Sequence, residues 1–443
     1  MKKVFSNRMN GCSLIHFSFL LAFLFLSVNA EAKVKLPSVL ADNMVLQQQT
    51  DVKLWGQAQA KATLTVKTSW NNKPYKAIAD NKGQWELQIP TPQTGGPYEI
   101  TFNDGEPLTL KNVLIGEVWF CSGQSNMEMP MGGFDRQPTK GTNDLIAKAK
   151  PSTPIRIYNT DSQEGKWVRQ FNKTPQKDCQ GEWLENTPVN VANTSAAAYY
   201  FARYIQEVLE IPVGIIVSTL GGSKVEAWMS REAISPFKSI NLSILDNDEQ
   251  IKNITATPCV LYNAKIAPFT NFAIKGFLWY QGESNRDNAD LYQSLMPAFV
   301  KDLRNKWNRG ELPFYFVEIA PFNYEEADGT SAARMREVQL QNMKDIPNSG
   351  MVSTLDIGHP VFIHPMDKET VGNRLALWAL AKTYGKKGFG YASPIYKSME
   401  ISDNKIYINV ENAQRGLCPM WTSLKGFEIA GEDKVFYPAF AEI

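Results

Sequence analysis

The sequence predicts a mainly parallel α/β domain that follows a small antiparallel β module. Short alternating apolar runs separated by turn residues fill the chain up to about residue 112, which is typical of antiparallel strands. Strand patterns then alternate with helical stretches, as in a parallel sheet covered by helices. The 443 residues, 43% of them hydrophobic, suffice for two or three structural units at roughly 150 residues each.

Residues 1–32 have the pattern of a secretory signal peptide. A basic start is followed by an apolar centre from Leu14 to Val28 and by small residues around Ala30 and Ala32, where cleavage is expected. The apolar centre is shorter than the roughly 20 residues that a spanning helix needs, and no later stretch reaches that length without charges. We therefore expect a secreted or periplasmic protein without a membrane span.

The composition argues against several kinds of partner and cofactor. A formal net charge of +1 gives no electrostatic reason to expect nucleic acid or an anionic membrane as partner. The cysteines beyond the leader are widely and irregularly spaced, without a CxxC or Cys/His metal pattern. We therefore predict neither a metal site nor a disulfide, and we make no prediction of the oligomeric state.

Residues 33–112 are predicted to form a β-sandwich accessory domain. Apolar or alternating runs are separated by turns such as Asn81-Lys82-Gly83 and Thr94-Gly95-Gly96-Pro97. No cluster of catalytic residue types occurs in this region. Its role is either packing or contact with carbohydrate, and we favour packing.

Residues 113–390 are predicted to form the catalytic α/β domain, and residues 391–443 a β-rich C-terminal segment. The ending at Phe440 to Ile443 leaves open a shortened product whose final strands are absent, which would expose apolar edges. Helices are predicted over 195–208, 291–305, 332–343 and 368–383. The predicted strands are Val113–Cys121, Val213–Thr219, Gly276–Tyr280, Phe314–Ile319 and Gly350–Asp356.

The first predicted strand of the catalytic domain ends at a turn that carries Ser125. An apolar run stops abruptly at Gly123-Gln124-Ser125-Asn126. At the carboxyl end of such a strand, a serine on a turn can meet a substrate while nearby backbone N–H groups face the same point. Ser125 is therefore the candidate nucleophile, and the alternative is an ordinary polar turn after a core strand.

Two further strand ends carry groups that complement Ser125. The predicted strand 213–219 runs into Leu220-Gly221-Gly222-Ser223, where glycine lets the backbone approach a ligand and offer an N–H group. The predicted strand 276–280 runs into Gln281-Gly282-Glu283-Ser284-Asn285, which is rich in amide and carboxylate groups. Either loop alone is compatible with a helix cap or a turn, but together at one sheet edge they predict a shared cleft.

The small number of histidines limits the choice of a catalytic base. Beyond residue 32 the sequence has only His359 and His364, both between Asp356 and Pro365. A serine activated by an imidazole must use one of them. We favour His364, because it precedes Pro365 in a loop that proline constrains. A structural hydrogen bond within the loop is the alternative for either ring.

Four ordered blocks of the sequence resemble the sialate O-acetylesterase family of SGNH hydrolases, and the likeness runs from about Leu36 to the end. The resemblance implies a flavodoxin-like SGNH esterase core that removes O-acetyl groups from sugars without a metal or organic cofactor. The blocks are Gly123-Gln124-Ser125-Asn126-Met127, Gly221-Gly222-Ser223 with Glu226-Ala227-Trp228, Trp279-Tyr280-Gln281-Gly282-Glu283-Ser284-Asn285, and Asp356-Ile357-Gly358 with Ile363-His364-Pro365.

By motif position, the resemblance implies that Ser125 is the nucleophile and His364 the base. Gly222 would then donate an N–H group to the oxyanion, and Gln281 or Asn285 would supply a side-chain contact. The remaining polar side chains of the blocks are candidates for substrate binding, namely Gln124, Asn126 and Glu283.

The sequence departs from the family pattern at the acid that orients the base. Relatives carry an aspartate two or three residues before the histidine, where this chain has Phe362 and Val361, and His359 stands where relatives often show aspartate. In a triad the loss of that acid can cost about four orders of magnitude in rate. Two alternatives stay open: Asp356 reaches His364 because the loop folds back, or a backbone carbonyl holds the ring in a Ser-His dyad.

The predicted substrate is an O-acetylated sugar, with sialic acids favoured and acetylated xylan or xyloglucan as the alternative. A sialate carboxylate would favour a bidentate arginine, and Arg286, Arg334 and Arg336 are candidates. A catalytically impaired, glycan-binding relative is a second hypothesis, because the usual orienting acid is missing. Four aromatic residues in or beside the blocks could stack on a sugar, but we favour core packing for them: Trp119, Trp228, Trp279 and Tyr280.

Overall fold

The structure is a computed structural model that describes residues 33–163, 166–324, 330–413, 416–417 and 423–443. The predicted leader, residues 1–32, lies outside the described residues. Within the described part, a β-rich front region leads into a central sheet flanked by helices, and β-hairpins follow near the end of the chain.

The front region is built from short strands in two groups. The strands are β1 (Val45–Gln47), β2 (Asp51–Gln57), β3 (Thr63–Thr68), β4 (Pro74–Ile78), β5 (Gln84–Pro90), β6 (Gly95–Asn103) and β7 (Pro107–Gly123). One group is the antiparallel pair β2–β5. The other joins β4, β3, β6 and β7 through antiparallel pairs, and β1 pairs with β7 in parallel. Alternate residues such as Val52 and Leu54 are buried, because successive side chains of a strand point to opposite faces.

Strand β7 belongs to both the front region and the central sheet. Its first part pairs with β6, and its second part, from Glu117 to Gly123, pairs with the strands of the central sheet. The predicted boundary between residues 112 and 113 therefore falls inside one continuous strand. The polar pair Lys111 and Asn112 interrupts the apolar pattern there, and Asn112 has a φ of 55°, a left-handed conformation that asparagine tolerates.

The remaining strands form the central sheet and the small hairpins. They are β8 (Ile155–Asn159), β9 (Ser162–Gln163), β10 (Lys166–Trp167), β11 (Glu182–Glu185), β12 (Val213–Thr219), β13 (Gly276–Tyr280), β14 (Phe314–Val317), β15 (Ser349–Val352), β16 (Ile395–Ser402), β17 (Lys405–Glu411), β18 (Glu428–Ala430) and β19 (Phe436–Pro438). The predicted strands 213–219 and 276–280 are confirmed. Those predicted over 314–319 and 350–356 end earlier, where the Glu318 carboxylate accepts hydrogen bonds from the Thr354 N–H and the Ser353 hydroxyl.

The central sheet is mixed, in the order β11-β8-β12-β7-β13-β14-β15, and its pairs are parallel except for that of β11 with β8. From β7 the chain fills one side of the sheet with β8 and β12, and afterwards the other side with β13, β14 and β15. The carboxyl end of β7 is therefore a switch point, the place where open α/β sheets form their ligand crevice.

Helices cover both faces of the central sheet. The helices are α1 (Ser125–Glu128), α2 (Asn143–Lys148), α3 (Pro188–Ala192), α4 (Ala196–Leu209), α5 (Arg231–Ile234), α6 (Ala289–Trp307), α7 (Ser331–Asp345) and α8 (Lys368–Trp378). The four predicted helices correspond to α4, α6, α7 and α8. The α-helical part of the last one ends at Trp378 and continues as a π-helical turn, Ala379–Thr383.

Strand β7 supplies side chains to two hydrophobic cores. Phe120 packs in the core that contains α6, whereas its neighbours Trp119 and Cys121 pack in the core that contains α4 and α8. This alternation follows from the two-residue repeat of a strand. The four aromatic residues considered for sugar stacking are buried in these cores, which confirms packing as their role: Trp119, Trp228, Trp279 and Tyr280.

The described part of the C-terminal segment consists of two hairpins, β16–β17 and β18–β19. Most of its side chains are exposed, including the apolar Ile401 and Phe440. In the described residues, no helix combines the length and apolarity that crossing a membrane requires.

Candidate active site

Ser125 lies at the carboxyl end of β7, where the chain bends sharply against β13. Gly123 has a φ of 143°, and the Gln124 N–H donates to the Tyr280 carbonyl over 3.0 Å. A side chain at Gly123 would collide with that carbonyl, so only glycine fits this close approach. Ser125 then begins the single-turn helix α1 and is partly exposed, and within the described residues its hydroxyl has no hydrogen-bond partner.

The loop after β12 places its glycines beside Ser125. A side-chain carbon added at Gly221 would lie 3.4 Å from the Cβ of Ser125. The Gly221 N–H donates to the Glu128 carboxylate, whereas the N–H groups of Gly222 and Ser125 have no acceptor in the part of the chain that the structure describes. Gly222 has a φ of 71°, which favours glycine. Ser125 and the loop that packs against it therefore each keep one backbone donor without an acceptor among the described residues.

Two predicted site residues, Gln124 and Gln281, use their side chains to hold the loops together. The Gln124 Oε1 accepts from the N–H groups of Gly282 and Ser284 over 3.3 and 3.4 Å. Gln281 uses its Nε2 on the Ser223 carbonyl, at 3.0 Å, and on Asn285, at 2.7 Å. A primary amide has only two N–H donors, so Gln281 has none left for an oxyanion.

Asn285 is also engaged within the protein. Its Oδ1 accepts from the Val225 N–H over 2.9 Å and from Gln281, and its Nδ2 donates to Glu226 over 2.8 Å. One N–H of the Asn285 amide remains without a recorded protein partner in the described part of the chain. Of the two amides predicted to contact the oxyanion, only Asn285 keeps a donor for that role.

Asn126 connects the serine turn to the histidine loop. Its Nδ2 donates to Glu283 Oε1 over 2.6 Å and to the Ile363 carbonyl over 3.1 Å, and its Oδ1 accepts from Lys368 Nζ over 2.5 Å. The side chains of Asn126, Glu283 and Lys368 are all buried. Burial raises the pKa of Glu283 and lowers the pKa of Lys368 to about 7. No motif in the sequence marks Lys368 as a site residue.

His364 lies in the loop that Asn126 contacts through the Ile363 carbonyl, and its ring is held by Gln137. Its Nδ1 is 2.7 Å from Gln137 Oε1, and its ring packs edge-on against Phe134 at 5.2 Å between centroids. Because the amide oxygen only accepts, Nδ1 carries the proton and Nε2 keeps a lone pair that can accept one. Burial, and next the charge of Lys368, lower the pKa of His364 to about 4.

The structure does not bring Asp356 to His364. Its carboxylate accepts two hydrogen bonds from Arg374, at 2.8 and 2.6 Å, which lower the pKa of Asp356. The hydrogen bond to His364 Nδ1 that was predicted for Asp356 or a backbone carbonyl is made by Gln137. His359 forms contacts within its own turn, where its Nδ1 accepts from the Val361 N–H over 3.2 Å.

Ser125 and His364 share no hydrogen bond in this structure, and the link between their loops is the contact of Asn126 with Ile363. Catalytic hydrogen bonds are often long in the absence of substrate and shorten in the complex. In the described residues, no group of three or more histidine, cysteine, aspartate or glutamate side chains could hold a metal ion.

Comparison with known proteins matches the chain to carbohydrate esterases. Residues 115–380 match the family model described as "Carbohydrate esterase, sialic acid-specific acetylesterase". A crystal structure of a carbohydrate acetylesterase from Xanthomonas citri is 31% identical and covers 93% of this chain and 89% of its own, with a TM-score of 0.81.

Curated mammalian relatives agree with the family match. Human sialate O-acetylesterase is 28% identical in an alignment of 412 positions, which covers 85% of this chain and 76% of the human protein. The mouse enzyme is 27% identical in an alignment of 453 positions, which covers 89% of this chain and 81% of the mouse protein. The α/β fold and these relatives define an ester hydrolase that acts on carbohydrates. The chain belongs to the sialic acid-specific acetylesterase family of carbohydrate esterases.

Proposed function

We propose that the protein is a secreted serine esterase that removes O-acetyl groups from sugars through Ser125 and His364. The observation that carries the proposal is the position of the Ser125 hydroxyl. It stands at the switch point of the sheet, beside the unpaired N–H groups of Ser125 and Gly222, and Asn126 ties its turn to the loop of His364. Secretion rests on the signal-peptide pattern of residues 1–32.

The proposed reaction is a two-step acyl transfer. His364 Nε2 takes the hydroxyl proton as Ser125 Oγ bonds to the acetyl carbonyl carbon, and the oxyanion is held by the N–H groups of Ser125 and Gly222. Each such donor is typically worth about 3 kcal/mol. The tetrahedral intermediate then expels the sugar oxygen, which receives the proton from His364. Water repeats both steps on the acetyl-enzyme and releases acetate.

Gln137 takes the place of the orienting acid in this proposal. Its amide oxygen fixes the ring orientation and tautomer of His364, although a neutral amide stabilises the imidazolium less than a carboxylate would. The low pKa of His364 is in line with this, because the ring lacks a carboxylate partner that would raise it. A Ser-His pair with a glutamine orienter therefore replaces the dyad and the Asp356 triad considered from sequence.

Replacement of Gln137 tests its orienting role. We expect Gln137→Ala to lower kcat by roughly 10-fold to 100-fold with little change in KM, because the ring loses the hydrogen bond that fixes its tautomer. Gln137→Glu should keep activity and move the acid limb of the kcat/KM profile to higher pH, since a carboxylate raises the pKa of His364.

The matched control for Gln137 is Gln341→Ala. Gln341 is a glutamine on α7 that bonds the exposed Asp345 over 2.9 Å, away from the cleft. Steady-state rates with p-nitrophenyl acetate, measured from pH 3.5 to pH 9, give the comparison. A Gln137→Ala enzyme as fast as the Gln341→Ala enzyme would remove Gln137 from the mechanism.

The favoured substrates are O-acetylated sialic acids, and Arg286 is the candidate for their carboxylate. Arg286 Nη1 donates to the carbonyl of Glu283, the residue that bonds Asn126, and its guanidinium stacks on Tyr324 at 4.6 Å. Arg286 also lies 3.9 Å from the largely exposed Asp287, and Arg334 forms surface ion pairs with Asp290 and Glu337. Among the contacts of the described residues, Arg286 is the arginine of the three considered from sequence that directly contacts the Asn126–Glu283 network.

Acetate release from three substrates tests the choice of sugar. We expect turnover of O-acetylated N-acetylneuraminic acid, and Arg286→Ala should lower its kcat/KM about 10-fold or more while hydrolysis of p-nitrophenyl acetate changes little. Arg334→Ala is the control with an intact rate. Release from acetylated xylan or xyloglucan without release from the sialic acid would favour the neutral-glycan alternative. Binding of these glycans without any hydrolysis would favour the impaired relative.

A further inference from the structure

Lys368 is a fully buried lysine in the catalytic cleft that the reaction does not use. It is the first residue of α8, its exposed fraction is 0%, and its ammonium lies 5.1 Å from the centre of the Tyr280 ring. Lysine is rarely buried to this extent without a partner that offsets its desolvation. Its hydrogen bond goes to a neutral group, the Asn126 Oδ1, at 2.5 Å.

Asn126 stands between Lys368 and the buried carboxylate of Glu283. The amide accepts from the ammonium with its oxygen and donates to Glu283 with its nitrogen, over 2.6 Å, so it links two opposite charges. The same nitrogen donates to the carbonyl of Ile363 over 3.1 Å. Asn126 directly follows the candidate nucleophile and Ile363 directly precedes the candidate base. The charge pair thus lies at the junction of the two catalytic loops.

We propose that Lys368 is a positioning residue of the esterase: through Asn126 it holds the Ser125 turn against the His364 loop, and it places a buried positive charge at the junction of the two loops. This inference rests on the proposed role of His364 as the base. It adds a function for a residue that neither motif position nor the reaction scheme assigns.

The charges around His364 support an electrostatic role for Lys368. The side chains that touch the ring from the loop after α1, Gln137 and Phe134, are neutral. The loop after β13 contributes the carboxylate of Glu283, and the Asn126 amide lies between this carboxylate and the Lys368 ammonium. Next to the ring in sequence, Asp367 is 3.7 Å from Lys140, a largely exposed cation.

The direction of the effect follows from the order of the two titrations. Lys368 has a pKa of about 7, so it is charged throughout the range in which His364, with a pKa of about 4, takes up a proton. A nearby positive charge disfavours a second one. The ring should therefore be neutral, and able to act as a base, at every pH above roughly 5.

Nuclear magnetic resonance of histidine-labelled protein tests the charge effect without reference to activity. Beyond residue 32 the only histidines are His359 and His364, and His359→Gln assigns the two rings. We expect Lys368→Met to raise the pKa of His364 by about one unit or more, and the acid limb of kcat/KM to move by the same amount. Lys382→Met is the matched control, because it removes an exposed lysine 5.3 Å from the Tyr391 ring at the far end of the same helical segment.

A second variant keeps the test valid if Lys368→Met fails to fold with an unpaired Glu283. Lys368→Met combined with Glu283→Gln removes both charges and should show the same raised pKa of His364. In the unmodified protein, the His364 ring nitrogens should also show a second, smaller inflection near pH 7, where Lys368 loses its proton.

An unchanged His364 titration in the variant that folds, or a single inflection in the unmodified protein, would overturn the proposal. Esterase activity that survives in Ser125→Ala would instead contradict the proposed function and leave the ring titrations interpretable. The two failures are therefore distinguishable.

Discussion

Ser125→Ala is expected to lower kcat/KM for p-nitrophenyl acetate by at least about 10³-fold, and His364→Ala by a similar factor. In the proposed reaction, the first change removes the atom that attacks the acetyl carbon, and the second removes the group that takes its proton. The combined variant should be no slower than either single variant, because nucleophile and base act as one unit. Initial rates measured at a common pH, corrected for the uncatalysed reaction, give the three factors.

His359→Ala is the control that the chain itself offers for His364. His359 is the only other histidine beyond residue 32, and its contacts are with Val361 and Phe362 of its own turn. Its removal should change the rate less than about twofold. If His359→Ala were as damaging as His364→Ala, the base would be misassigned, and equal rates for wild type and Ser125→Ala would remove the serine mechanism.

The second large effect is on stability, at the bend before Ser125. Gly123→Ala should lower the free energy of unfolding by about 3 kcal/mol or more, through two costs that add. Its φ of 143° is unfavourable for any residue with a Cβ, and the new methyl group would meet the backbone of Tyr280, with the carbonyl carbon 2.8 Å away. Urea denaturation of purified protein, monitored by tryptophan fluorescence, measures the loss.

Gly141→Ala separates the two costs. Gly141 also has a positive φ, of 72°, but no heavy atom lies within 4 Å of an added Cβ. Its substitution should cost about 1 kcal/mol, from the backbone conformation alone. A Gly123→Ala variant that is no less stable than Gly141→Ala would show that β7 and β13 can separate, and the fixed position of Ser125 would then be in doubt.

The central sheet was predictable because its strands are continuous apolar runs that stop at glycine. A glycine lies two residues after the end of Val213–Thr219 and of Gly276–Tyr280, and both strands have the predicted ends in the structure. The apolar pattern does not predict a strand end that depends on a side-chain hydrogen bond. The Glu318 carboxylate accepts from the Thr354 N–H, and the strand pairing ends there although the apolar residues continue to Ile319.

The sequence indicated candidate site residues where a loop directly follows a strand, as for Ser125 and Gly222, and where a residue type is scarce, as for His364. Gln137 lies in an irregular segment, 227 residues from the histidine that it contacts, so no spacing in the sequence could indicate the pair. Lys368 looked like part of an ordinary amphipathic helix start, because burial of its ammonium depends on Asn126 and Tyr280 from two other parts of the chain.

The most direct test is to identify the residue that carries the acetyl group during turnover. The protein is mixed with a slowly hydrolysed acetyl ester, quenched in acid within the first turnover, digested and mapped by mass spectrometry. An acetyl group on Ser125, absent from Ser125→Ala and accumulating in His364→Ala only slowly, is the predicted result. Turnover that continues while the peptide with Ser125 stays unmodified, or an acetyl group on another residue, would contradict the mechanism.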